Sequence, residues 1–144
     1  MPQDINQAVT YLQSLIESID GMRQAPDEIP EQMNVFPFAV SYVSALTDST
    51  QATRGFQKNN FVITTEIHVA RKDLPRDYAR LSRFNTLFPA AVWGDLNANT
   101  SALGGYVDTI QSVSGALTPS TWGGTETLAW TFTTSVKVMS QWTT

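Results

Sequence analysis

Cysteine is missing altogether from this chain of 144 residues. Disulfides, thiolate catalysis and cysteine-ligated zinc are therefore excluded. Histidine occurs once, at His68, so a Ser-His-Asp triad has little more than the bare letters it needs. Charge is scarce as well: Asp, Glu, Lys and Arg make up 15% of the chain, against about 25% in an average soluble domain. Thirty Ser and Thr residues take their place. No apolar run approaches the ~20 residues of a membrane span, so no membrane partner is expected. The opening Met1-Pro2-Gln3-Asp4 has neither the basic nor the apolar region of a secretory leader, so folding in the cytoplasm is expected. A net charge of −4 opposes phosphate neutralisation, and no sequence-specific nucleic-acid partner is expected. What remains is a polar, weakly charged surface. It suits a protein packed against neighbours, and equally a stable β-rich monomer.

The length fits one domain, residues 1–144, able to bury roughly 70% of the surface its unfolded chain exposes. The first element is an amphipathic helix. Ile5, Ala8, Val9, Leu12, Leu15, Ile16 and Ile19 fall on one arc of about 120°. Asp4 is placed to cap it, with Gln7 in capping-box spacing, and Gly21 supplies the stop. Residues 22–34 form a proline-broken connector, and the stretch through Glu31 holds six acids and one base.

Four strands are predicted, split two and two by a second helix. Val35–Ala45 alternates through Phe36, Phe38, Val40 and Tyr42, with Pro37 placing its start at an edge or bulge. Phe61, Ile63, Thr65, Ile67 and Val69 alternate in the second strand. The polar stretch Thr47–Asn60 between them reads as a long, mobile hairpin loop. Helix two opens after Asp73 with Pro75 in its first turn; Tyr78, Leu81, Phe84 and Phe88 share one face, and Pro89 breaks or kinks it. Asn97–Gly105 reads as a turn-rich exit, Tyr106–Val113 as a weaker third strand, and Leu128–Val138 as a long fourth. The expected fold is α+β: a four-stranded, mainly antiparallel sheet with two helices packed on one face, in the order α-β-β-α-β-β.

Motifs that carry chemistry are absent or incomplete. His68, beside Glu66 on the polar-leaning side of strand two, reads as a strand-surface histidine. Asp95-Leu96-Asn97-Ala98-Asn99 imitates the start of a calcium loop, but Thr100 stands at the sixth position and Tyr106 at the twelfth, so it reads as a turn. Gly104-Gly105 and Gly123-Gly124 lack phosphate-loop spacing and read as turn punctuation. No catalytic residue, metal or cofactor is expected. Basic residues are less evenly spread. Five of the nine fall in Arg71–Arg83, and Arg76, Arg80 and Arg83 recur at i, i+4 and i+7 opposite the apolar face of helix two. That stripe is a solvated helix face or a contact with an acidic neighbour. With Arg71 and Lys72 ahead of the helix, and Arg54 and Lys58 in the 47–60 segment, it makes up the candidate interface set.

The helix, the connector into Val35-Phe36-Pro37-Phe38-Ala39-Val40, Glu66-Ile67-His68-Val69-Ala70-Arg71 leading to Tyr78-Ala79-Arg80-Leu81, then Leu87-Phe88-Pro89, Leu103-Gly104-Gly105-Tyr106-Val107 and the strand Leu128–Val138 follow one another in a characteristic order. In that order the chain resembles the phage tail terminators of the minor tail protein U type. The resemblance implies a non-enzymatic virion protein of the tail neck, assembled in the host cytoplasm. Its partners would be itself in a ring, usually a hexamer, the tail-tube protein, and a head-completion or connector protein. Two other readings compete: another connector or tail-tube subunit, and a small-molecule-binding α+β domain whose pocket is lined by Trp93, Trp122, Trp130, Trp142 and the phenylalanines. Against the pocket domain, few ionisable residues lie in strands: Glu66, His68, Asp108 and Lys137.

Overall fold

Helix α1 (Ile5–Glu17) forms along the expected apolar arc but ends sooner. Ser18 caps it, its amide donating to the Leu15 carbonyl at 3.2 Å, so Ile19 lies beyond the helix and Gly21 is not its stop. Asp4 caps it, its carboxylate accepting from the Asn6 amide at 2.9 Å, while Gln7 is exposed and takes no part. Ala8, Leu12 and Ile16 are fully buried, and complete burial of a leucine or isoleucine side chain contributes about 1.5–3 kcal/mol. The structure is a computed structural model and describes residues 3–19, 21–23, 25, 36–53, 55–71, 74–99, 102–122 and 124–141.

Four long strands, β1 (Phe38–Thr53), β2 (Phe56–Ala70), β3 (Thr109–Trp122) and β4 (Thr125–Gln141), make one sheet in the order β1-β2-β4-β3. Every adjacent pair is antiparallel. Residues directly opposite one another share a face. Ile67 pairs with Ala39 and Trp130, and Phe61 with Val136, so one face collects Ala39, Ile63, Ile67, Phe132 and Val136 under the helices. The fold is thus the expected α+β arrangement, with its helices on one side of an antiparallel sheet.

Two expectations about the sheet are corrected. Thr47–Asn60 is not a loop: its described residues continue both strands, with Asp48 opposite Asn60, Thr50 opposite Lys58 and Gln51 opposite Gln57. Three register shifts along β1 absorb the extra residues. Polar residues hold strand geometry here because β4 flanks β2 on its other side, pairing Asn59 with Val138 and Lys58 with Met139. Strand preference is largely a matter of such neighbours. Likewise β3 runs on to Trp122 through Gly115 and Pro119, which read as breakers in isolation. Phe132 lies across Gly115, where an added Cβ would come within 2.7 Å of its ring.

Helix two is two helices. α2 (Leu74–Ser82) ends at a turn on Arg83, and α3 (Phe84–Asn99) continues beyond it. Pro89 therefore sits inside α3 instead of ending it. A proline inside a helix costs about 3 kcal/mol. Phe84 and Phe88 are fully buried, and the Phe88 ring stacks on Phe132 with centroids 4.4 Å apart, which offsets that cost. Tyr78, expected on the apolar face, is 51% exposed. The calcium-loop imitation is helical too. Asp95 is buried in α3 and accepts a 2.7 Å hydrogen bond from the Tyr11 hydroxyl of α1. A short 3-10 turn, Ala102–Gly105, leads into β3, and both its glycines have positive φ, as expected of an entry turn.

A buried polar contact docks α1 on the sheet. Gln13, 1% exposed, donates from Nε2 to the Ala39 carbonyl at 3.1 Å and accepts from the Ser41 hydroxyl at 2.6 Å. The Ser41 and Thr65 hydroxyls lie 2.9 Å apart. Ala39 and Ser41 belong to edge strand β1, so α1 covers part of an otherwise open edge.

Candidate functional site

The fold gathers part of the predicted basic set. In α2, Leu81 and Asp77 turn inward, while Arg76, Ala79 and Arg80 are exposed. Arg83 extends the same surface from the turn between α2 and α3. These four residues line one shallow hollow of about 420 Å³ over the small Ala79 side chain.

A second hollow adjoins it and shares Arg80 and Arg83. Its volume is about 390 Å³, and its wall is completed by Arg23, Met22, Phe36 and Pro37. Three guanidinium groups from three separate parts of the chain therefore meet, one after α1, one on α2 and one in the turn that follows. The stretch 21–23 is tied to the start of β1 through the Arg23 amide, which donates to the Pro37 carbonyl at 3.1 Å. Gly21 has φ +95°, and a Cβ there would come within 2.8 Å of Arg83 Nη1. The bare glycine is what lets the Arg83 guanidinium lie against the backbone. No acidic side chain lines this hollow among the described residues. The guanidinium groups of Arg23 and Arg80 make no hydrogen bond or ion pair with any described residue.

The chain matches no protein-family model and no curated protein sequence.

The other predicted interface residues lie elsewhere. Lys58, half-buried in β2, pairs with Thr50 and Met139 near the tip of the β1–β2 hairpin. Arg71 is exposed just beyond the other end of that strand, its amide donating to the Glu126 carbonyl at 3.2 Å. Arg54 and Lys72 lie outside the described residues. Arg23 is the member that sequence reasoning missed. It sits in an acidic stretch, far in sequence from helix two, and only the Arg23–Pro37 tie and the position of Gly21 bring it there.

His68 is a correction. Instead of a surface residue it is fully buried, on the sheet face away from the helices, with Phe38 and Val40. Its ring stacks on Phe38 at 4.9 Å and 11°. Nδ1 lies 2.7 Å from the Thr127 hydroxyl and Nε2 3.1 Å from Glu66 Oε1. The other Glu66 oxygen accepts from the Tyr42 hydroxyl at 2.6 Å. The hydrogen bond with His68 is the main cause holding the Glu66 carboxyl below its ordinary range; burial opposes it and the Tyr42 bond assists. Burial, then the bond to Glu66, pushes Tyr42 up to about 12. These four residues form a satisfied structural relay that ties β1, β2 and β4 together.

The aromatic residues considered for a ligand pocket are dispersed. Trp93 is 38% exposed on α3, Trp130 stacks on Phe132 beneath the helices, and Phe38, Phe84 and Phe88 fill core positions. Trp142 and the side chain of Trp122 lie outside the described residues.

Proposed function

We propose that this chain is a structural subunit of a phage tail. In this reading its copies close into a ring at the head-proximal end, a hexamer as in the family it resembles. The ring ends tail-tube growth and presents the surface that joins the head. The observation that carries the reading is the far half of β1, where residues 44–51 are all exposed. A strand packed on one face alternates buried and exposed residues. Here the alternation is lost, so neither face of this stretch of the edge is covered by the described residues. Leu46 (54% exposed) sits on this stretch, and Phe56 (40% exposed) starts β2 at the same hairpin tip. A neighbouring subunit that covered them would gain on the order of 1 kcal/mol from each.

The direction of the strands suits the same arrangement. β1 and β3 are the two edges of an alternating sheet, so they run in opposite directions. A repeated contact between unlike edges is heterologous, and such contacts close into rings when the rotation allows. Pro119 blunts the β3 edge towards its hairpin tip, which leaves the Thr109 half for pairing.

Electron microscopy and light scattering of the purified protein test this reading. Rings are expected, and the double variant Leu46→Ser/Phe56→Ser is expected to lower their mass while circular dichroism stays unchanged. Long tubes would instead identify a tube subunit, and a monomer at all concentrations that leaves tube growth unchecked would reject the proposal.

A further inference from the structure

We infer that the hollow formed by Arg23, Arg80 and Arg83 is a receptor for an acidic peptide segment of a partner protein, one that carries carboxylates around an apolar side chain. The inference holds whether or not copies of the chain form a ring.

Three features of the hollow select this ligand. The first is its charge: Arg23 and Arg80, whose guanidinium groups bond to no described residue, open beside Arg83 into one cavity that no described acidic side chain lines. Guanidinium groups bind carboxylates through paired, charge-assisted hydrogen bonds. The second is preorganisation. Arg83 is laid against Gly21, and the Arg23 backbone is tied to Pro37, so two of the three groups are positioned before a ligand arrives. The third is that the wall is mixed, because Met22, Phe36 and Pro37 supply an apolar part. A phosphodiester backbone has nothing to place there, whereas a leucine or isoleucine beside an acid does. The size agrees, since about 390 Å³ holds a few side chains and not an extended polyanion. The net charge of −4 further disfavours nucleic acid.

Fluorescence anisotropy with a short labelled peptide of glutamates around one central leucine tests the inference at physiological ionic strength. Saturable binding of one peptide per chain is expected, weakening as salt is raised. Arg23→Ala/Arg80→Ala is expected to lower the affinity roughly tenfold or more. Both side chains are exposed, so circular dichroism should match the parent protein. Gly21→Ala, which crowds Arg83 and strains the backbone at φ +95° without removing a charge, is expected to weaken binding as well. Exchanging the leucine for glycine should also weaken it, and a glutamine version of the peptide should not bind. Absence of saturable binding, or binding indifferent to the arginine variant, overturns the inference. So does equal affinity for the leucine-free peptide, or stronger competition by inorganic phosphate or a single-stranded oligonucleotide.

Discussion

Replacing Gln13 by leucine tests whether a buried hydrogen-bonded amide, and not apolar packing alone, docks α1 on the sheet. The amide is 1% exposed, donates to Ala39 and accepts from Ser41. Leucine fills a similar volume but leaves the Ala39 carbonyl without that donor in a dry environment. A buried polar group stripped of its partner costs about 1–3 kcal/mol. Ser41 loses less, because the Thr65 hydroxyl stays within reach at 2.9 Å. Leucine recovers part of the loss through its extra apolar surface, at about 25 cal/mol per Å². The net expectation is a destabilisation of about 1–2 kcal/mol. Urea unfolding followed by circular dichroism reads this as a lower midpoint at unchanged slope. Ser41→Ala combined with Gln13→Leu completes a double-mutant cycle. Because the two residues share a bond, their effects should fall short of additivity by about 0.5–1 kcal/mol. Additive effects, or a Gln13→Leu protein more stable than the parent, would refute the reasoning.

Three further outcomes are expected. Thr134 is fully buried and its hydroxyl has no partner among the described residues, so Thr134→Val should stabilise the fold by about 1 kcal/mol in the same urea assay. Gly115→Ala should destabilise by about 1–3 kcal/mol, because its Cβ would come within 2.7 Å of the Phe132 ring; a smaller additional methyl penalty in a Phe132→Leu background checks that cause. The lowered Glu66 carboxyl contributes stability that is present above its unfolded value near 4.5 and lost as pH falls through the folded value. Tyr42, raised from 10 to about 12, contributes stability that is present below pH 10 and lost as pH rises towards 12. Melting temperatures across pH should therefore show a shallower acid limb in Glu66→Gln and a shallower alkaline limb in Tyr42→Phe.

Some of this architecture is written locally in the chain. The 3.6-residue spacing of Ala8, Leu12 and Ile16 and the cap at Asp4 define α1 without reference to anything else. The alternation through Phe61–Val69 and Leu128–Val138 defines two strands in the same way, and with the connecting lengths it leads to the α+β order. The Arg76–Arg80 part of the basic stripe follows from helical geometry, while Arg83 joins it from the turn that ends α2.

Other features depend on neighbours that sequence position does not reveal. The polar 47–60 segment becomes strand because β4 pairs along β2, and β3 passes through Gly115 because Phe132 covers it. Pro89 stays within α3 because Phe88 and Val92, on either side of it, are buried. His68 is adjacent to polar residues in the chain, yet its burial is decided by Phe38 and Thr127, which lie on other strands. Arg23 meets Arg80 and Arg83 only after α1 docks on the sheet. Backbone periodicity is a short-range property, and so it can be read from one segment at a time. Burial and charge convergence are sums over elements brought together by packing, and they acquire values only in the folded chain.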